Sequence, residues 1–141
     1  MAINDEGEIR GLLSKPRRIA VVGASPNPAR PSNGVLAFLV AQGHDVIAVN
    51  PGHTGGTIHG APVVATLADV EPPAEIVDIF RSSDQAGVAV DEAIVHGAKA
   101  VWMQIGVIDH DAARRAYEAG LIVVMDRCPK IEIPRLGLLR R

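Results

Sequence analysis

Aromatic side chains are nearly missing from this chain: two Phe, one Tyr and one Trp in 141 residues. Proteins that grip single-stranded nucleic acid stack its bases on such rings, so that function class is left without its main device. An excess of charge of one sign is also lacking. Fourteen Lys and Arg stand against sixteen Asp and Glu, a formal net charge of −2 with both signs mixed along the sequence, and no basic nucleic-acid surface is expected. Cysteine occurs once, at Cys128, which excludes an intrachain disulfide and gives no sign of an oxidising compartment. Long apolar runs are absent as well. The longest clean one, Val35 to Ala41, falls far short of a bilayer span, and Met1-Ala2-Ile3-Asn4-Asp5-Glu6 is acidic and polar, unlike a secretion signal. A cytoplasmic protein that uses neither membrane nor nucleic acid is the expectation.

Clustered chemistry is missing too. The histidines His44, His53, His59, His96 and His110 are dispersed, with no i, i+4 pair and no neighbouring cysteine, so no metal site is expected. His44 and His96 stand beside glycines at helix ends, where interaction with a helix C-terminus accounts for them. No acid, base and nucleophile come together, and no catalytic residue is expected.

What the chain does have is 48% hydrophobic residues, almost all aliphatic, as a buried parallel sheet requires. One grammar occurs three times: a helical run, a closing glycine, then an unbroken apolar strand. Val35 to Gln42 closes at Gly43 before Asp45–Val49, Gln85 to His96 at Gly97 before Lys99–Met103, and Ala112 to Ala119 at Gly120 before Leu121–Met125. Strands at Ile19–Val22 and Ala74–Phe80 complete a set of five. Right-handed crossovers then predict an α/β fold of three αβα layers, a Rossmann-like doubly wound parallel five-stranded sheet in the order 3-2-1-4-5. The length fits one domain over residues 1–141. A covering helix is expected near 5–14, a capping box from Ser82 to Gln85, an N-cap at Asp109, and an irregular stretch from Pro51 to Pro73 with a short strand at Pro62–Val64.

The most informative stretch is Ile19-Ala20-Val21-Val22-Gly23-Ala24-Ser25, followed through Arg30-Pro31-Ser32-Asn33-Gly34 by a helix. A strand that breaks at glycine and turns into a helix leaves backbone N–H groups and the positive helix end facing one point, where a phosphate would sit. Ligands of such sheets lie beyond the strand carboxyl ends, here Gly23-Ala24-Ser25, Asn50-Pro51-Gly52-His53, Phe80-Arg81-Ser82 and Gln104-Ile105-Gly106. A dinucleotide fits poorly. Beyond Gly23 the loop lacks the glycines of G-x-G-x-x-G, and the second strand ends Val49-Asn50-Pro51 without the acid that binds ribose hydroxyls.

Taken in order, Gly23-Ala24-Ser25, Arg30-Pro31-Ser32, Val49-Asn50-Pro51-Gly52, Asp78-Ile79-Phe80-Arg81, Val101 to Val107 and Val124-Met125-Asp126-Arg127-Cys128 resemble the stand-alone CoA-binding domain proteins. These are related to the N-terminal CoA-binding domain of the succinyl-CoA synthetase alpha subunit, and the resemblance spans roughly residues 10 to 133. It implies coenzyme A as ligand, free or acylated, with the diphosphate on Gly23, Ala24, Ser25, Arg30, Ser32 and Asn33. Asn50, Pro51 and His53 would line the adenosine end, and Phe80, Arg81, Gln104 and Gly106 would flank the remainder. One departure stands out: the synthetase loop reads Pro-Gly-Lys-Gly-Gly, where this chain has Pro51-Gly52-His53-Thr54-Gly55-Gly56, and His53 would make affinity dependent on pH. The synthetase's phosphorylatable histidine belongs to a following domain, and ligase chemistry is not expected of these residues. The implied function is a non-catalytic CoA- or acyl-CoA-binding sensor or regulatory module. The alternatives are an NAD(P)-linked or acyl-CoA-processing enzyme that needs a partner chain, and a module that docks another protein or a second copy. Cys128, beside Asp126, Arg127 and Lys130, is either a buried small residue or a thiol able to form a mixed disulfide with CoA.

Overall fold

The computed structural model describes residues 2–140. Its elements in chain order are α1 (Glu6–Leu13), β1 (Arg18–Val22), α2 (Pro31–Ala41), β2 (Asp45–Val49), β3 (Thr57–Ile58), β4 (Ala61–Val64), β5 (Ile76–Ile79), α3 (Ser83–His96), β6 (Ala100–Met103), α4 (His110–Glu118), β7 (Ile122–Met125) and α5 (Pro129–Arg135). The strands form one sheet in the order β3-β4-β2-β1-β5-β6-β7, parallel throughout except for the antiparallel β3–β4 pair.

The α/β class and the layering are as expected, but the count of five strands and their order 3-2-1-4-5 are corrected: the sheet has seven, the hairpin strands β3 and β4 being the additions. Ile76–Ile79 does not extend the sheet beyond β2; it pairs with β1, Ile19 opposite Ile76 through Val22 opposite Ile79. The place beside β2 is taken by β4, where Ala48 faces Val63. The chain leaving β2 makes a hairpin at once, turning at His59 and Gly60, which both have positive φ (48° and 84°). With that edge filled, the next long strand crosses to the open side of β1, and the reversal of strand order falls between β1 and β5.

Successive strand residues point to opposite faces, and each face is buried under its own helices. Ala20, Val22, Val77, Ile79, Val101 and Met103 pack under the alanine-rich faces of α3 and α4. Ile19, Val21, Ile76, Ala100, Trp102 and Val124 pack under α1, α2 and α5. Asp109 caps α4 as the sequence predicts, accepting from the Ala112 amide at 3.0 Å, and Asp5, not singled out from the sequence, caps α1 by accepting from the Glu8 amide at 2.9 Å. Ser82 does begin α3, but its side chain makes no capping bond. Its neighbour Ser83 is used instead, with Oγ donating to the Gly106 carbonyl and accepting from the Ile108 amide. Helix α5 has no counterpart in the sequence reading. Pro129 opens it at a position where a missing N–H costs nothing, and Pro134 stands in its last turn.

The two helix-end histidines are not dipole partners. His44 Nδ1 accepts from the Arg17 amide at 3.0 Å and His96 Nε2 from the Ala74 amide at 2.9 Å, roles only a neutral ring can fill. Burial holds His44 down to about 4 and lowers His96 in the same direction. Among the described residues no helix is long and apolar enough to cross a membrane.

Candidate functional site

The site begins with the end of β1. Gly23 has φ +83°, and a Cβ built on it would lie 2.1 Å from the Phe80 carbonyl oxygen. Only glycine lets the β1 exit pass this close to the β5 exit. Two asparagines then fix the loop. Asn50 Nδ2 donates to the Ala24 carbonyl at 2.7 Å while its Oδ1 accepts from the Gly52 amide, and Asn33 Nδ2 donates to the Ser25 carbonyl at 3.0 Å. A trans peptide sets N–H opposite C=O, so the grip of Asn50 on Ala24 also fixes the direction of the Ser25 N–H. Neither the Ala24 nor the Ser25 amide has a protein acceptor among the described residues.

Nine of the thirteen residues singled out from the sequence, Gly23, Ala24, Ser25, Arg30, Ser32, Asn50, Pro51, Phe80 and Arg81, line one cleft of about 330 Å³ together with Pro31. The other four lie elsewhere. Asn33 is buried beneath the loop as its brace, with Oδ1 2.7 Å from His59 Nε2. His53 sits exposed on the turn Pro51–His53 and lines no cavity at the strand ends. Gly106 is tied down by its own bonds, its amide donating to Asp126 Oδ1 at 2.8 Å. Gln104 lines an adjoining cavity.

Two further cavities open from this cleft. One, about 360 Å³, runs under α3 past Val49, Thr66, Leu67, Gln85 and Glu92, and shares Pro51 and Arg81 with the cleft. The other, about 450 Å³, runs toward α5 past Val35, Gln104, Ile105, Val107 and Cys128, and shares Pro31, Phe80 and Arg81. Arg81 therefore stands at the junction of all three. Sequence reasoning missed most walls of the outer cavities, since Thr66 and Glu92 come from surface elements that carry no motif and Gln85 reads only as part of a helix cap. His59 was likewise passed over; its only signal is the hairpin turn it makes with Gly60.

Electrostatics separates this place from the rest of the surface. Arg17, Arg18, Arg114, Arg115, Arg127 and Arg135 are all ion-paired, and Arg10 and Arg140 donate to backbone carbonyls. Among residues 2–140 only the guanidiniums of Arg30 and Arg81 make no bond to protein, and both line the cleft. Unengaged guanidiniums beside the free Ala24 and Ser25 amides of the β1 exit, next to the start of α2, form an anion cradle. Among the described residues no group of His, Cys, Asp or Glu is placed to hold a metal ion.

Residues 17–134 match the CoA binding domain family, most of the chain. The chain belongs to the CoA-binding domain family. An uncharacterized protein of Bacillus subtilis (strain 168), YneT, is 34% identical over 126 residues, 89% of this chain and 92% of that one. A hypothetical protein from Pyrococcus horikoshii OT3 superposes with TM-score 0.87 at 37% identity, over 94% of this chain and 92% of the other. A Thermus thermophilus structure gives TM-score 0.87 at 36% identity, over 94% and 98%. Membership of the CoA-binding family supports a CoA-related role, and its match covers the cleft and both adjoining cavities.

Proposed function

We propose that this chain is a binding module for coenzyme A or an acyl-CoA, with the diphosphate in the central cleft. Arg30 and Arg81 flank the phosphates, and the Ala24 and Ser25 amides with the Ser25 and Ser32 hydroxyls complete the donor set. The adenosine end lies in the cavity under α3 and the pantetheine arm in the cavity toward α5, so that the ligand crosses the strand ends past Arg81. The observation that carries this reading is the pair of guanidiniums left without protein partners on one small cleft. The module is non-catalytic in this reading: the asparagines at the cleft act on its own backbone.

Calorimetry with CoA tests it. A charge-assisted hydrogen bond contributes about 1.5–3 kcal/mol, so Arg81→Met is expected to weaken CoA about 10- to 100-fold, and Arg30→Met with it further still. Absence of heat with a folded, ligand-free preparation, or equal affinity in the double variant, would overturn the reading.

A further inference from the structure

We infer that the ligand of this site carries an apolar acyl group on its sulfur, held in the cavity toward α5. This deepens the CoA reading and rests on it. The cavity is the largest of the three at the strand ends, about 450 Å³ against 330 and 360 Å³. It is also the most apolar. Beyond the shared rim its walls are Val35, Ile105, Val107 and Cys128, with Gln104 and Ser82 as the polar exceptions.

Gln104 says what enters. It is 6% exposed and its Oε1 is buried without a donor. A buried acceptor left unpaired is unfavourable, and a rotation that turns the amide toward the cavity would let a slender arm bearing N–H groups supply the donor. Past that point no charged side chain lines the wall. The only charged side chain lining this cavity is Arg81, on the rim it shares with the phosphate cleft, so a terminal carboxylate would be desolvated against aliphatic side chains without a counter-ion in the wall. An aliphatic acyl thioester carries no charge there and gains from each methylene it buries. The selected ligands are thus short aliphatic acyl-CoAs, and dicarboxylic acyl-CoAs are rejected.

The test is a set of affinities on the full chain for adenosine 3′,5′-bisphosphate, CoA, acetyl-CoA, butyryl-CoA and succinyl-CoA. Burial of a methylene corresponds to about a fourfold gain at full burial, so butyryl-CoA is expected to bind roughly 5- to 15-fold more tightly than acetyl-CoA, with succinyl-CoA at least tenfold weaker than butyryl-CoA. Ile105 is 57% exposed, so Ile105→Asp should fold; it is expected to remove the butyryl advantage and leave the bisphosphate unaffected. Equal affinities across the acyl series with CoA and the bisphosphate still bound would overturn this inference alone. Failure of CoA itself to bind would overturn both it and the reading beneath it.

Discussion

Replacing Gly23 with alanine tests the geometry on which the cleft stands. Two costs arise, and the structure lets them be separated. At φ +83° an L-residue is in left-handed territory, worth about 1–2 kcal/mol. The new Cβ would also lie 2.1 Å from the Phe80 carbonyl oxygen, a contact with backbone that no side-chain rotation relieves, adding about 1–3 kcal/mol. Gly43 supplies the control, with φ +87° and nothing within 4 Å of its would-be Cβ, so Gly43→Ala carries the first cost only. For 141 residues the unfolding entropy near the midpoint is about 0.3 kcal/mol/K, and each kcal/mol lowers Tm by about 3 °C. Gly43→Ala should therefore melt about 3–7 °C below the parent and Gly23→Ala about 7–17 °C below it. Because the Phe80 carbonyl belongs to the peptide that leads into Arg81, Gly23→Ala should also weaken CoA while Gly43→Ala leaves affinity alone. Scanning calorimetry and a CoA titration on the three proteins decide the matter. Equal melting of the two variants would refute the close approach of β1 to β5.

Other expectations follow from single contacts. Asn50→Asp sets an oxygen where Nδ2 now donates to the Ala24 carbonyl at 2.7 Å and brings an anion to the cleft, so CoA affinity should fall about tenfold or more, read by titration, with unchanged affinity counting against the bracing role. Asp78, in mid-strand β5, has both carboxyl oxygens buried and unpartnered, and burial raises its pKa well above the usual carboxylate range. The folded state therefore holds a proton that the unfolded state releases, and stability should fall by about 1.4 kcal/mol per pH unit from about pH 4 up to the folded value. His44 runs the other way: neutral in the fold and held down to about 4, it contributes fully above about pH 6.5 and loses at most about 3 kcal/mol as pH falls toward 4. Above about pH 4 the Asp78 trend opposes the rise contributed by His44 and His96, so the parent's urea midpoint should climb less steeply toward pH 6.5 than that of Asp78→Asn; superimposed profiles would dispose of the Asp78 account. Incubation with the disulfide of CoA should add one CoA to Cys128, whose thiolate displaces the other half as a thiol; intact mass reads the adduct and Cys128→Ser should abolish it. An unmodified parent would place the pantetheine arm elsewhere.

The alternation of strands and helices was legible because strands buried on both faces carry few polar residues, Asp78 being the exception: Ile47, Val101 and Val123 read as core in any register. Strand order was not, because β4 is four residues long, contains Pro62, and competes for the edge of β2 through a hairpin whose turn is signalled only by Gly60. Protonation of His44 and His96 was out of reach as well. A ring beside a helix end reads as a charged cap until the structure shows which backbone amide points at it. At the site, the loops after β1, β2 and β5 were legible from topology, which fixes the sheet edge that a ligand meets. The division of labour within them was not. Asn33 and Asn50 have the composition of ligand contacts, but their amides grip the Ala24 and Ser25 carbonyls, and His53 is carried outward by the turn that Pro51 begins.

Near-neutrality and an anion site look incompatible, yet the ion pairs reconcile them. Glu75, Asp45, Asp91, Glu132 and Glu6 each lie against an arginine away from the cleft, and Asp111 and Glu118 flank Arg114. These pairs cancel charge where it is not wanted, and among the described residues Arg30 and Arg81 are left as the only guanidiniums with neither an ion pair nor a hydrogen bond to protein. At physiological ionic strength, interactions between exposed charges fade over about 8 Å, so an approaching diphosphate responds to this local pair and not to the net charge of the chain. The same screening separates this site from a nucleic-acid surface, which needs a stripe of cations matched to a row of phosphates. Two guanidiniums on a cleft of about 330 Å³ match one compact anion instead.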